Sequence, residues 1–546
     1  MRRSSRVLVG VVASLLVTGT LAGLGAMPAG AGTHKASGPK HGGTLTFAIG
    51  AETTGGYCLP GTAELATQGI EVATAIYDTL TTVNSKGQIV PFLAKSVTPD
   101  PTFTSWTIQL RPNIQFQDGE PLDAQAVKLN LDTYRGDNPT IPSELSPFSL
   151  KPITSVTVTG PLSLVLTTSV PWPALPWYLY GTGRTGIVAP AQLANAQTCP
   201  TRMIGTGPFE LVSWTPNSSL VVKRNPHYWR PGLPYLDGIK FDVVTDASSM
   251  QNGLVAGDYD VIQTADALSI LALRQRKASG QSNEFDTDAG AEVGYGLLNL
   301  AKAPFNDMNA RLAVAYAGDA NQLNEIRNRG LETIATGPFA PGTPYYLTPA
   351  QAKAAGAPSH NLAKAKHYAA LYSAAHGGQP LSFEFLTATD PELLAQAEVV
   401  KEQDAKAGIG MTIKQVDQST LISLALAGQF EESAFLNHPQ GDPDTQYVWW
   451  HSGSPVNFSH INDPVIDHDL DAARTTTNPQ QRIALYRNLN ERFSSQVYEL
   501  WAWYNKWAVA SQTNVQGLTT SPLPDGNGNA FPLYDGVVPT ATLWKK

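Results

Sequence analysis

The 546-residue sequence has only two cysteines, and only 15% of its residues are charged. It contains no G-x-S-x-G, no H-E-x-x-H and no G-K dipeptide. Signatures of serine hydrolases, zinc peptidases and P-loop nucleotide binders are therefore missing. Beyond the N-terminal region there is no apolar run long enough to span a bilayer, and there is no internal repeat or low-complexity tract. These absences favour a globular binding protein over an enzyme of those classes.

An export signal is predicted at the N-terminus. Arg2, Arg3 and Arg6 precede an uncharged apolar run from Val7 to Leu24, and small residues then lead to an A-x-A site at 29–31. This order is typical of a cleaved secretory signal peptide over residues 1–31. A retained membrane anchor is the alternative, which the glycines of the run disfavour. The Arg pair leaves twin-arginine export open. Because no cysteine lies near the end of the run, a lipoprotein anchor is not predicted.

The charge balance limits the partners of the mature chain. Removal of residues 1–31 takes away three of the 37 basic residues and leaves 34 against 45 acidic residues, a net charge of −11. This balance argues against nucleic acid and against a basic membrane-binding patch. The remaining 515 residues exceed the size of a single core, so two or three domains are expected.

The two cysteines are Cys58 and Cys199. In an exported protein two thiols are more often paired than free, so we predict a disulfide between them. Closing so long a loop stabilises a fold by about 4–5 kcal/mol in the chain-entropy model. Two separate buried thiols are the alternative.

The hydrophobic pattern changes along the chain. Residues 32–42 are small and polar and predict a flexible leader. The first half then contains short alternating strands and a helix near 66–80. The second half alternates strands with helices at 308–317, 362–375 and 390–407, which predicts an α/β lobe with a largely parallel sheet.

Many short segments occur in one order along nearly all of the mature chain. They are Ile76–Leu80 (IYDTL), 90–96 (VPFLAKS), 106–112 (WTIQLRP), 116–122 (FQDGEPL), 205–209 (GTGPF), 224–229 (RNPHYW), 234–237 (PYLD), 256–261 (AGDYDV), 298–299 (LN), 303–307 (APFND) and 479–482 (PQQR). In this order they resemble family 5 of the extracellular solute-binding proteins, the peptide and nickel binders. Most of these segments are turns or loops filled by aromatic side chains, so they identify a fold better than a ligand site.

The resemblance implies an α/β, two-lobed, periplasmic-binding-protein-like fold of type II, with an extra subdomain in the first lobe and a hinge. The first lobe would comprise residues 43–285 and 509–546, and the second 286–508. The function implied is that of the extracytoplasmic substrate-binding component of an ABC importer, which takes up a peptide or similar small solute. The partners implied are that ligand and a membrane permease; we expect a monomer with no cofactor and no catalytic residues.

The same resemblance assigns candidate ligand contacts to the loop after the first strand, to the hinge region and to a loop of the second lobe. These residues are Glu52, Thr53, Tyr57, Asn299, Asn437, His438, Asp442, Trp449, Trp450 and Asn457. Peptide-binding relatives carry an aspartate before the Asp-Pro step that pairs with the ligand's α-amino group. Here the corresponding residues are His438, Pro439 and Gln440, which argues against recognition of a free α-amino group. The alternative for the tryptophans is core filling, and for Asp442 a turn before a helix.

Other chemistry has weaker support. Gly181–Gly186 matches G-x-G-x-x-G, but no ribose-binding acid follows about 20 residues later. Ser37–Lys40 matches S-x-x-K, but it lies in the leader. His451, His460 and His468, with Asp463 and Asp467, lack the spacing of a strong metal site. Nickel or metal-chelate binding, and an exported enzyme or chaperone-like binder on the same scaffold, stay as alternatives.

Overall fold

The largest sheet has seven strands. In spatial order they are Asn283–Thr287, Trp507–Ser511, Val261–Thr264, Thr44–Ile49, Gly238–Val243, Ser219–Arg224 and Phe209–Thr215. The central strand Thr44–Ile49 runs parallel to both of its neighbours, and the other pairs are antiparallel. Its side chains Leu45, Phe47 and Ile49 are fully buried in a core shared with the helix Thr67–Ile76. These alternate residues lie on one face of the strand, whereas Thr44 on the other face is exposed and Thr46 is half-buried.

The structure is a computed structural model. It describes residues 38–52, 56–59, 66–139, 141, 146–289, 292–389, 391–439 and 441–546. The signal peptide predicted at 1–31 lies outside the described residues, as do most of the predicted leader and Thr53. Residues 39–546 form one compact unit. No helix among the described ranges has both the length and the apolar character needed to cross a membrane.

A separate antiparallel sheet of four strands forms the extra subdomain. Its order is Ala94–Pro99, Ser105–Leu110, Ser163–Thr168 and Ile153–Gly160. Alternate side chains such as Trp106, Ile108 and Leu166 point into a buried core, as the alternating sequence requires. The helix Ala124–Tyr134 contacts this sheet, and it begins where Asp123 accepts hydrogen bonds from the backbone N–H groups of residues 125 and 126.

Six strands form the sheet of the second lobe. Their order is Thr333–Ile334, Glu499–Tyr504, Val293–Leu298, Glu432–Asn437, Ser382–Ala388 and Gly410–Val416. Only the pairs made by Ser382–Ala388 are parallel, so the prediction of a largely parallel sheet was wrong. The reason is topological: Val293–Leu298 leads into this lobe, Glu499–Tyr504 leads back out, and the two pair with opposite direction.

The remaining elements surround these sheets. Helices of the first lobe are Ser146–Ser149, Leu175–Tyr178, Pro190–Leu193, Ala247–Ala256 and Ala267–Ala278; those of the second are Met308–Ala317, Ala320–Asn328, Pro349–Ala354, Leu362–Ala375, Pro391–Lys406, Gln418–Leu426, Tyr447–Trp450, Pro464–Thr475 and Pro479–Gln496. Short strand pairs are Thr81–Val83 with Ile89–Pro91 and Val515–Gln516 with Trp544–Lys545, and 3₁₀ turns span Gly181–Gly183, Ala196–Thr201, Pro443–Gln446, Pro524–Gly526 and Thr540–Thr542. The helices predicted at 308–317 and 362–375 are confirmed at those bounds.

The chain crosses between the seven-stranded and six-stranded sheets twice, once between residues 287 and 293 and once between 504 and 507. The two crossings are hydrogen-bonded to each other. The backbone N–H of Asn505 donates to the carbonyl of Glu292 at 2.9 Å, and its Nδ2 donates to the Glu292 carboxylate at 3.0 Å. Paired crossings of this kind form the hinge of a two-lobed protein.

The disulfide between Cys58 and Cys199 is present. It joins the loop that follows the first strand to the 3₁₀ turn Ala196–Thr201, across a sequence separation of 141 residues. The prediction of a pair is therefore confirmed, and the alternative of two separate thiols is wrong. Both cysteines pack against the core of the first lobe.

Candidate functional site

The loop that follows strand Glu432–Asn437 carries the second lobe onto the first. Gly441 has φ +84°, and a Cβ added there would lie 2.5 Å from the hydroxyl of Tyr534 and 2.6 Å from the ring of Trp177. Trp177 belongs to the first lobe. Tyr534 belongs to the C-terminal segment, which is attached to the first lobe where Gln263 donates to the Gly536 carbonyl. Only glycine allows both this backbone conformation and this close approach.

Four charged side chains meet where this loop reaches the first lobe and the hinge. We call Arg184, Glu292, His438 and Asp535 the interlobe charge cluster. The Nε2 atom of His438 lies 3.2 Å from the Glu292 carboxylate, and its Nδ1 lies 3.5 Å from that of Asp535. The side chains of Glu292 and Asp535 are 8% and 2% exposed, and that of His438 is 23% exposed. One imidazole ring therefore separates two buried carboxylates.

The electrostatics of the cluster favour a protonated His438. Burial opposes the imidazolium, but the carboxylates of Glu292 and Asp535 outweigh it and raise the pKa of His438 above its ordinary value. Arg184 opposes this effect. Burial lowers the pKa of the Arg184 guanidinium, although Asp535 and Glu292 act in the other direction. With His438 protonated, the cluster contains two cations and two anions.

A cavity of about 110 Å³ is lined by Gly183 and Tyr534, the sequence neighbours of Arg184 and Asp535, and not by the four cluster residues themselves. It lies between the helix Thr67–Ile76 and the C-terminal segment, and Tyr180 and Tyr534 are among the residues that line it. Burial raises the pKa of the Tyr180 hydroxyl well above its usual range, and Asp535 adds to this effect. Both tyrosines are therefore neutral hydrogen-bonding groups at neutral pH.

A second polar network joins the lobes through Asp444. Its carboxylate accepts hydrogen bonds from Trp172 Nε1 at 2.7 Å and from the Tyr178 hydroxyl at 3.0 Å, both in the first lobe. Arg474, in the second lobe, donates from Nε to the same carboxylate at 2.8 Å and lies 3.5 Å over the ring of Tyr447. Burial opposes the charge of Asp444, but Arg474 outweighs it and lowers the pKa of Asp444.

Among the predicted site residues, Glu52 and Tyr57 come together with Trp214. The Glu52 carboxylate accepts hydrogen bonds from Trp214 Nε1 at 3.0 Å and from the backbone N–H of Asn217 at 2.9 Å. The ring of Tyr57 is buried with its centroid 5.3 Å from that of Trp214. Burial, and then Glu52, raise the pKa of Tyr57 well above its usual value. Thr53 lies outside the described residues.

The three predicted asparagines make bonds within the second lobe. Asn299 is 2% exposed, and its Nδ2 donates to the carbonyls of residues 428 and 430, both at 3.0 Å. Asn457 is 4% exposed and exchanges hydrogen bonds with the backbone of Ile461. Asn437 accepts from the backbone N–H of His438 at 2.8 Å. These contacts fix loops, and ligand contact by these side chains stays a prediction.

Asp442 and the two tryptophans also have internal partners. Asp442 accepts a hydrogen bond from the backbone N–H of residue 444 at 2.9 Å and pairs with Arg482 through both carboxylate oxygens. This arrangement agrees with the turn alternative. Trp450 is 1% exposed and packs in a core with Phe339, whereas Trp449 is half-buried. Core filling is therefore the role of Trp450 that its burial favours.

Three cluster residues were not among the sequence candidates. Arg184 lies inside the G-x-G-x-x-G match, and there the structure has a 3₁₀ turn at Gly181–Gly183 followed by extended chain, not a nucleotide-binding helix. Glu292 directly precedes a strand, and Asp535 lies in a C-terminal loop. Because successive members of the cluster are 97 to 146 residues apart in the sequence, no local pattern indicates the cluster.

The histidines considered for metal binding, His451, His460 and His468, do not form a metal site among the described residues. Nε2 of His451 lies 3.9 Å from Asp467 and 3.6 Å from Asp471, and Nδ1 of His468 pairs with its neighbour Asp469. Within the part of the chain that the structure describes, no group of three histidine, cysteine or acidic side chains has the arrangement of a metal site.

Comparison with known proteins gives one family. The model of "Bacterial extracellular solute-binding proteins, family 5 Middle" matches residues 88–459. The nickel-binding periplasmic protein of Escherichia coli K12 is 25% identical over 468 residues, covering 82% of this chain and 87% of that protein. The glutathione-binding protein GsiB of Salmonella typhimurium is 27% identical over 447 residues, covering 77% and 81%.

Solved structures agree with the fold. The periplasmic binding protein AgaA of A. tumefaciens R10, in complex with agropinic acid, superposes with a TM-score of 0.80 at 22% identity. The superposition covers 92% of this chain and 99% of AgaA. Together with the paired crossings between two sheets, these matches confirm the family and the two-lobed fold expected from the sequence. The chain belongs to the bacterial extracellular solute-binding proteins of family 5, and it is a substrate-binding component of ABC import.

Proposed function

We propose that this chain captures a peptide or similar small solute between its lobes and presents the closed, liganded form to a membrane permease. The supporting observation is that Gly441 of the second lobe lies against Trp177 and Tyr534, while His438 of the same lobe belongs to the interlobe charge cluster. Buried charged groups at a hinged interface are what a polar ligand can use when the lobes separate. The ligand needs only to bind the closed state more tightly than the open one.

The division of the strands between the seven-stranded and six-stranded sheets supports the limits that we propose for the two lobes. We propose a first lobe of residues 43–285 and 509–546 and a second lobe of 286–508, within a few residues of the two crossings between the sheets. The mature protein would act as an exported monomer without a lipid anchor on cysteine, after removal of residues 1–31. We propose binding without catalysis, since the charged residues at the interface pair with each other and not with a nucleophile.

The solute is proposed to be small and polar. Two relatives are named for binding nickel and glutathione, and AgaA was solved in complex with agropinic acid. The sequence has His438, Pro439 and Gln440 where peptide binders carry an acid for the α-amino group. This departure favours a ligand that is anchored differently from an ordinary peptide.

Native mass spectrometry of protein purified from its own cell envelope tests the proposal. We expect a mass increment that is lost on unfolding and whose composition identifies the solute or chelate. Small-angle scattering should show a smaller radius of gyration with that solute than without it. A protein that carries no solute, and whose radius of gyration and melting temperature stay unchanged across peptides, amino-acid conjugates and metal chelates, would contradict the proposal.

A further inference from the structure

The members of the interlobe charge cluster belong to the first lobe, the hinge and the second lobe. Asp535 lies on the C-terminal segment, which the first lobe holds through hydrogen bonds from Gln263 to the Gly536 carbonyl and from the Val538 backbone N–H to Glu71. Glu292 lies in a hinge crossing. His438 follows a strand of the second-lobe sheet. Opening of the lobes therefore takes His438 away from the carboxylate of Asp535.

The carboxylates need a cation when they are enclosed. Glu292 and Asp535 carry two negative charges at side-chain exposures of 8% and 2%, and Arg184 supplies one positive charge. Protonated His438 supplies the second. Leaving a buried charge without a partner is strongly unfavourable. Enclosing both carboxylates is therefore more favourable when a second cation lies between them.

His438 fills that position imperfectly. Its Nδ1 and the facing Oδ1 of Asp535 are 3.5 Å apart, and both atoms are buried without a hydrogen-bond partner among the described residues. A donor that approached to about 2.8 Å would form a charge-assisted hydrogen bond. The site therefore holds a buried acceptor that a better-placed donor can satisfy.

We infer that the bound solute presents a cationic nitrogen group, such as a guanidinium, imidazolium or protonated amine, to Glu292 and Asp535, and that His438 is an internal competitor for this place. The inference rests on the proposed function and specifies its ligand class. Planar groups with two or more N–H donors fit best, because the imidazole that now occupies the site faces one carboxylate with each nitrogen.

Matched ligand pairs test the inference by isothermal titration at pH 7. Each pair consists of a guanidinium compound with no other basic nitrogen and the analogue in which a neutral urea replaces the guanidinium: Nα-acetylarginine and Nα-acetylcitrulline, N-acetylagmatine and N-acetyl-N′-carbamoylputrescine, N-acetyl-Gly-Arg and N-acetyl-Gly-citrulline. We expect the charged member of at least one pair to bind ten-fold or more tightly than its analogue. Glu292→Gln and Asp535→Asn should each reduce that preference at least ten-fold.

A gain of affinity separates this role from a merely structural one. His438→Asn should bind the charged member several-fold more tightly than the wild type does, since the competitor is removed, whereas a structural histidine would give loss or no change. Asp258→Asn, an exposed carboxylate of the first lobe, is the matched control and should leave every affinity unchanged. If Glu292→Gln fails to fold, Asp535→Asn and His438→Asn still decide the matter.

Two results would overturn the inference while leaving the proposed function intact: equal binding of both members of every pair that binds, or a copurifying solute that has no basic nitrogen and still closes the lobes. Failure of every pair, with no solute that closes the lobes, would count against both. A divalent metal ion that closes the lobes without any nitrogen compound would also overturn it.

Discussion

Trp172 and Asp444, which are 272 residues apart in the sequence, are joined across the two lobes by a 2.7 Å hydrogen bond from the indole Nε1 to a carboxylate oxygen. Tyr178 adds a second donor from the first lobe. Because Asp444 is fully buried and charged, each of these donors offsets part of the cost of enclosing it. Because the contact joins residues of the two lobes, separation of the lobes would break it.

Trp172→Phe should destabilise this contact. The substitution keeps most of the ring but removes the N–H donor, so we expect the melting temperature to fall and the free energy of unfolding to drop by about 1–3 kcal/mol. The radius of gyration of the ligand-free protein should rise. Trp106→Phe is the matched control, since Trp106 is similarly buried in the same subdomain and its Nε1 has no hydrogen-bond partner among the described residues. Equal effects of both substitutions would contradict a role for the hydrogen bond.

Loss of the disulfide should weaken the first lobe. Replacing Cys58 and Cys199 by serine removes a link that closes a loop of more than 100 residues, and we expect unfolding to become easier by about 3–5 kcal/mol. Denaturant unfolding of oxidised, reduced and doubly substituted protein measures the difference. The reduced wild type should match the double variant, and an unchanged midpoint in both would show that the loop is already ordered without the bond.

Stability should increase as the pH falls from about 8 to about 5. Burial raises the pKa of Glu71, Asp404 and Glu499 to about 8, and that of Asp78 and Glu332 to about 7. The folded protein therefore keeps protons that the unfolded chain releases above about pH 4–4.5. This stabilisation is complete below that range and is lost as the pH rises towards 7–8.

Urea unfolding at several pH values tests this dependence. Glu499→Gln keeps an acceptor for the Ser459 hydroxyl but cannot ionise, so its loss of stability between pH 5 and 8 should be smaller than that of the wild type. Below about pH 4 the trend should reverse, because the pKa of Asp444 is lowered by Arg474 and its charge is then neutralised. A stability that rises steadily from pH 5 to 8 would contradict the prediction.

The two adjacent tryptophans should behave differently. Trp450→Ala removes a fully buried ring next to Phe339 and Phe493, so we expect it to cost about 3–5 kcal/mol. Trp449→Ala should cost clearly less, since that ring is half-buried. Once a copurifying solute is known, Trp450→Phe should bind it with unchanged affinity. A large loss of affinity with little loss of stability would assign Trp450 to the ligand site instead.

Local patterns were sufficient for several elements. The alternation of residues 105–110 predicts a half-buried strand, and the helix predicted at 362–375 is present with Ala365 and Tyr372 buried on one face. The direction of the second-lobe strands was missed because a strand's own sequence does not record which neighbour it pairs with. Asp442 was read as either a ligand contact or a turn residue, and its pairing with Arg482 depends on a helix 40 residues later. Asp535 had no local signal at all.

The position of strand Trp507–Ser511 in the seven-stranded sheet sets an order of assembly. It lies between Val261–Thr264 and Asn283–Thr287, and it pairs with both. All six strands of the other sheet are contained between residues 293 and 504. As the chain is synthesised from its N-terminus, the second lobe therefore has every strand that it needs before the first lobe does. The first lobe begins first and is completed last. The edges of Val261–Thr264 and Asn283–Thr287 that pair with Trp507–Ser511 stay unpaired until the final 40 residues are present.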